Sequence, residues 1–123
     1  MLTESMRATW ELYVKAWSTA DSDERSRLLQ ESLAPTFRYV DPVSDCRNLA
    51  ELVEVIERFQ NNFPGLTIAS DSWVEHHDRA LAHWRVLDAG GVTRLPGVDA
   101  LVFNADGLIE QVTGFFELPP ANS

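Results

Sequence analysis

The chain has 123 residues, 45% hydrophobic and 24% charged, enough for one compact domain over residues 1–123 with a core of its own. Ten basic residues against 19 acidic ones leave a net charge of −9, which argues against a nucleic-acid or anionic-membrane partner and favours an uncharged ligand. A single cysteine, Cys46, excludes an internal disulfide and a thiolate metal site. The start lacks a basic and apolar leader, and no apolar run reaches the length of a membrane span, so a soluble cytoplasmic protein is expected.

Met6, Trp10, Tyr13, Val14 and Trp17 recur at helical intervals behind Thr3 or Ser5 as N-cap, predicting a first helix over about residues 4–20. Its inward stripe carries more aromatic surface than a short helix needs for packing, which points to the wall of a pocket. Asp21-Ser22-Asp23-Glu24 opens a second helix, with Leu28, Leu29 and Leu33 inward and Ala34-Pro35 as its stop. Phe37-Arg38-Tyr39-Val40-Asp41-Pro42-Val43 then alternates like a short strand. Pro42 forces the preceding residue into an extended conformation, so Asp41 stands at the strand end with its direction fixed. Asp-Pro is also a common turn opener, so Asp41 reads either as a held base or as a plain turn residue.

Asn48 followed by Glu51 caps a third helix, whose apolar face of Leu49, Leu52, Val53, Ile56, Phe59 and Phe63 ends near Asn62, before Pro64-Gly65. From Leu66 onward the period becomes that of strands. Turns at His77-Asp78-Arg79, Gly90-Gly91 and Asn104-Ala105-Asp106-Gly107 delimit four of them, roughly 66–76, 79–89, 92–104 and 108–118. Helices first and a meander afterwards predict an α+β domain: three N-terminal helices packed in the concave face of a strongly curved, mostly antiparallel sheet, with a cavity at the mouth of the cone. Apolar residues fall on both faces of the strands, so the outer face is expected to pair two copies as a homodimer. Ala80, Ala82, Trp84 and Val86 are expected inward and His83 and Arg85 outward; the reverse parity would make the pocket polar and histidine the base. His76 and His77 are adjacent and point opposite ways on a strand, so they cannot clamp one metal, and neither a metal nor a cofactor is expected.

Two further residues could carry chemistry. Asp99 lies in Pro96-Gly97-Val98-Asp99-Ala100-Leu101-Val102-Phe103, with apolar strand neighbours whichever way it points. Desolvation there would favour a protonated acid able to donate a hydrogen bond; the alternative is a strand aspartate capping a backbone amide. Tyr13, one turn from Trp10 and Trp17, needs a partner for its hydroxyl. That partner is either a ligand oxygen or, for a plain core residue, a carbonyl or water.

The register Tyr13-Val14-Lys15-Ala16-Trp17 with Ala20-Asp21, the sequence Asp41-Pro42-Val43, and Asp99 before Phe103-Asn104 and Gly107 resemble the ketosteroid isomerases of the SnoaL-like superfamily of cone-shaped α+β domains. The order of elements carries the resemblance from the first helix to the last strand; the residue-level likeness is confined to these three patches. It implies that Asp41 is a general base moving a proton next to a carbonyl of a small hydrophobic ligand, and that Tyr13 and a protonated Asp99 form an oxyanion hole. The alternatives are a SnoaL-like polyketide cyclase, a dehydratase-like enzyme resting on the histidines, and a non-catalytic small-molecule-binding or dimerisation domain. Trp17, Phe59, Phe63, Trp84, Phe115 and Phe116 would line the pocket. Residues 66–90 show little likeness to those isomerases. Arg47, close in sequence to Asp41, would weaken a base if paired with it. The segment 43–48 is either a lid over the cavity mouth or a connector.

Overall fold

The computed structural model describes residues 5–117. Three helices, α1 (Met6–Trp17), α2 (Ser22–Ser32) and α3 (Leu49–Asn62), alternate with and precede six strands: β1 (Leu33–Asp41), β2 (Ser44–Cys46), β3 (Thr67–His76), β4 (Arg79–Leu87), β5 (Thr93–Phe103) and β6 (Ile109–Phe115). Each helix begins on a side-chain cap that satisfies a backbone N–H left free in its first turn. Ser5 Oγ accepts from Ala8 N–H at 3.1 Å, Asp21 Oδ2 from Glu24 N–H at 2.8 Å, and Asn48 Oδ1 from Glu51 N–H at 2.9 Å. Thr3, the other candidate cap, lies outside the described residues.

The strands form one sheet in the order β2-β1-β6-β5-β4-β3. Every pairing is antiparallel except β1 with β6, which run parallel through Arg38↔Gln111 and Tyr39↔Val112. The sheet is not closed, and its concave face holds the helices. Leu101, Phe103, Ile109 and Val112 from the strands bury against Trp10, Leu28, Leu52 and Ile56 from the helices. The three turns expected from the sequence separate the last four strands, with Gly91 (φ 83°) and Gly107 (φ 82°) in the left-handed region that favours glycine. On β4, Ala80, Ala82 and Val86 are buried and His83 is exposed, so the inward set is the expected one. Arg85, which does not line the cavity, pairs with Asp71 across the β3–β4 edge at 2.8 Å. The outer face, on which pairing of two copies was expected, exposes Val74, Leu81 and Phe115.

A buried arginine ties the helices together. Arg25 Nη2 donates to Glu57 Oε2 at 3.0 Å, and Nη1 donates to Thr19 O at 3.0 Å; Gln60 Nε2 of α3 completes the knot by donating to Trp17 O at 2.9 Å. The end of α1 and the start of α2 are thereby held against the C-terminal half of α3. This fixes where the aromatic stripe of α1 meets Phe59.

The first helix ends at Trp17, and α2 ends at Ser32 rather than at Ala34-Pro35. Ser32 Oγ donates to Leu28 O at 2.8 Å, a competing bond that marks the last turn, and Leu33 is already extended. Pro35 therefore lies inside β1. The segment 43–48 contains a strand: β2 folds back on β1 through Tyr39↔Cys46 and Asp41↔Ser44. The end of the expected 108–118 strand, residue 118, lies outside the described residues. No helix among the described residues is long and apolar enough to cross a membrane.

Candidate active site

The concave face and the helices enclose a cavity of about 980 Å³, open at one side. Its size is at the upper end of small-molecule pockets, and its wall is mostly apolar with few polar groups. Tyr13 comes from the inner stripe of α1, Asp41 from the end of β1 and Asp99 from the middle of β5; all three line this one cavity. Sheet register brings the two acids together. β6 lies between β1 and β5, and Asp99 pairs with Gly114 while Val40 pairs with Thr113. A Cβ placed at Gly114 would stand 3.0 Å from Asp99 Oδ1 and 3.4 Å from Asp41 Cβ. The missing side chain of Gly114 is what leaves room for both acids to face the same space.

Asp41 is a turn residue whose carboxylate also faces the cavity. Its Oδ1 accepts from Val43 N–H at 2.8 Å, the bond of an Asx turn, and its Oδ2 accepts a short hydrogen bond from the Tyr39 hydroxyl. Two donors on two oxygens hold the carboxylate against the cavity while leaving lone pairs free to take a proton. Arg47 does not pair with it; its Nε is 4.0 Å from Asp45 Oδ1. Tyr39 is itself buried, and its phenol is pushed well above its ordinary value by that burial, with Tyr13 and then Asp41 adding to the rise.

Asp99 is 6% exposed. Burial lifts its carboxyl up to about 7; the Trp84 indole N–H holds the rise back, and Asp41 adds to it. Below about pH 7 this acid therefore mostly carries a proton that it can donate. Tyr13 is 2% exposed, and its phenol is raised by burial and then by Asp99, so it too stays a donor. The surrounding indoles reinforce that character. The N–H groups of Trp10 and Trp17 are buried without an acceptor among the described residues, and both side chains line the cavity.

The Asp99 value fixes a pH dependence of stability. It lies above the ordinary carboxyl value of 3.8, so folding takes up a proton between about pH 4 and pH 7, and native stability falls as pH rises through that window. Asp99→Asn, neutral at every pH, is expected to lose that decline and to be more stable than the parent at about pH 8 by ~2–4 kcal/mol. Thermal melts of both proteins from about pH 5 to 8 check this; parallel curves would mean that another group is responsible.

Of the expected lining residues, Trp17, Phe59, Phe63, Trp84 and Phe116 face the cavity. Phe115 does not. Alternation along β6 sends Gly114 and Phe116 inward, so Phe115 projects from the outer face opposite Val98 and is 56% exposed. Trp17 packs edge-on against Phe59 at 5.2 Å, and Trp84 against Phe116 at 6.2 Å, giving two aromatic walls. The sequence reading overlooked Tyr39, although its i, i+2 relation to Asp41 on a strand places both on one face. Among the described residues, no three His, Cys, Asp or Glu side chains cluster as a metal site.

The SnoaL-like domain profile matches residues 10–112. The chain belongs to the SnoaL-like domain family. A candidate isomerase of that family from Agrobacterium tumefaciens superposes with a TM-score of 0.83 at 25% identity, covering 92% of this chain and 97% of that one. A candidate SnoaL-like polyketide cyclase from Jannaschia sp. CCS1 gives 0.72 at 16% identity over 95% and 92%. The candidate hydroxylase AclR from Streptomyces galilaeus gives 0.68 at 18% identity over 94% and 81%. No curated protein matches. At these identities the last two speak for the fold alone.

Proposed function

We propose that this SnoaL-like domain is an acid–base enzyme that moves a proton next to the carbonyl of a small hydrophobic ligand, an isomerase or a cyclase. The observation that carries the reading is the pair of aspartates flanking Gly114 in one cavity, one held open by hydrogen bonds and one desolvated near neutrality. A ketone with its oxygen toward Tyr13 and Asp99 would place a neighbouring C–H toward Asp41. Asp41 takes that proton, the electron pair moves into the C–C bond beside the carbonyl, and charge develops on oxygen. The Tyr13 hydroxyl and the protonated Asp99 donate hydrogen bonds to that oxygen at the buried end of a mostly apolar pocket, where such bonds count most. Asp41 then returns the proton to a second carbon, or the enolate carbon attacks an internal carbonyl, whose π bond opens to an alkoxide that takes the proton from Asp41; the first outcome is isomerisation and the second cyclisation. Both use the same three residues. Sequence similarity to a candidate isomerase of the family supports the first.

The test is a flat phenol such as 2-naphthol, which presents an oxygen like that of the enolate. Fluorescence titration should show binding that weakens about tenfold or more in Tyr13→Phe and in Asp99→Leu. Equal affinity in all three proteins would remove the oxyanion hole. Binding should also weaken above about pH 7, as Asp99 loses its proton.

A further inference from the structure

In a chain with 19 acidic and 10 basic residues, cations are easily neutralised. Eight of the ten basic side chains lie within ion-pair distance of an acid. Lys15 and Arg58 have no such partner among the described residues. Lys15 is on the solvent side of α1, away from the cavity. Arg58 lines the cavity, on the face of α3 that also carries Val55, Phe59 and Asn62. The other cavity-lining cation, Arg94, is occupied by Asp88 at 2.9 Å.

The place of Arg58 is informative. It is exposed, so it sits at the mouth, whereas Asp99 and Tyr13 lie buried at depth. Burial and then the neighbouring acids Glu51, Asp41 and Asp45 raise the Cys46 thiol, with Arg58 opposing them, and Cys46 pairs across from Tyr39, the residue that holds Asp41. Ser44 of β2 and Asn62 of α3 add polar groups to the same wall. An unpaired guanidinium beside an aromatic slot offers a planar fork of donors that matches a carboxylate better than any neutral group.

We infer that the substrate is a hydrophobic ketone bearing a carboxylate, and that Arg58 at the cavity mouth binds this carboxylate while the carbonyl lies at the buried end. The inference rests on the carbonyl-site reading above and adds a second point of attachment to it. The net charge of −9 does not oppose it at contact range, because exposed charges farther away than about 8–10 Å are screened at physiological salt. Two-point attachment also fixes orientation: an anion at the rim and an oxygen at the floor leave only one edge of the ligand facing Asp41.

The experiment compares 6-hydroxy-2-naphthoate with its methyl ester, and 2-naphthoate with 2-naphthalenecarboxamide, by titration against the parent protein, Arg58→Gln and Lys15→Gln. The parent and Lys15→Gln are expected to favour each carboxylate over its neutral counterpart by about three- to tenfold, and Arg58→Gln to show a ratio near one. Charge preference that is absent in the parent, that survives in Arg58→Gln, or that is lost equally in Lys15→Gln overturns the inference. The 2-naphthoate pair lacks the phenol and so reads the anion site alone. An Arg58-dependent preference there, with no contribution from the hydroxyl in the other pair, would uphold the anion site while removing the oxyanion hole.

Discussion

Asp41→Asn is expected to slow deuterium uptake at the carbons beside the carbonyl of a flat bicyclic ketone, 2-tetralone, by about 100- to 10,000-fold. Asparagine keeps the size of the side chain and an oxygen that can still accept from Val43 N–H, so the Asx turn and the β1–β2 hairpin stay in place. What it removes is the capacity to take up a proton. NMR of the ketone in D2O reads exchange directly, without knowledge of the natural substrate, and a circular dichroism melt confirms that the variant is folded. A second probe, a Δ5-3-ketosteroid followed by enone absorbance, asks for the complete shift of a double bond. Exchange that persists in Asp41→Asn would move the base elsewhere. Exchange that vanishes, together with parental turnover of the steroid that also vanishes, would fix Asp41 in the role and the reaction as isomerisation.

Gly97→Ala is expected to close part of the cavity. Gly97 pairs with Trp84 across β4 and β5, and a Cβ at this position would overlap the six-membered ring of the indole. The obstruction is a side chain rather than backbone, so the ring can give way. Overlap with a ring in a packed sheet still costs on the order of 1–3 kcal/mol in stability. Trp84 forms a wall with Phe116 and touches the balance at Asp99, so its displacement should do more than destabilise. Binding of 2-naphthol is expected to fall at least tenfold while the melting temperature drops by only several degrees. A variant that loses stability but binds the phenol as before would show that Trp84 is packing alone and not part of the pocket.

Helix caps, the Pro64-Gly65 stop and the glycine turns are determined within a few residues, and all were legible in the sequence. The inward parity of β4 was legible too, because Ala80, Ala82 and Val86 alternate cleanly with Arg79, Leu81 and His83. Phe115 and Phe116 were not separable in that way: two adjacent aromatics cannot both face inward, and only the pairing of Val98 with Phe115 decides which does. The family resemblance directed attention to Tyr13, Asp41 and Asp99. That the two acids meet across Gly114 depends on β1 pairing in parallel with β6, a long-range register with no local signature. Gly97 and Gly114, each a glycine inside a strand, were the available hint that something approaches the backbone closely there.

The parallel partnership of β1 and β6 also dictates when the site can exist during synthesis. β6 is the last of the described strands to be made, and it must slide between β1, completed some 70 positions earlier, and β5. Until it emerges, β1 has only the three-residue β2 beside it, and both flanks of the future gap present unpaired amides and carbonyls. A nascent or prematurely terminated chain ending before residue 109 would therefore lack any enclosure for Asp41 and would carry two sticky margins at once, a product for chaperones and proteases rather than a weakened enzyme.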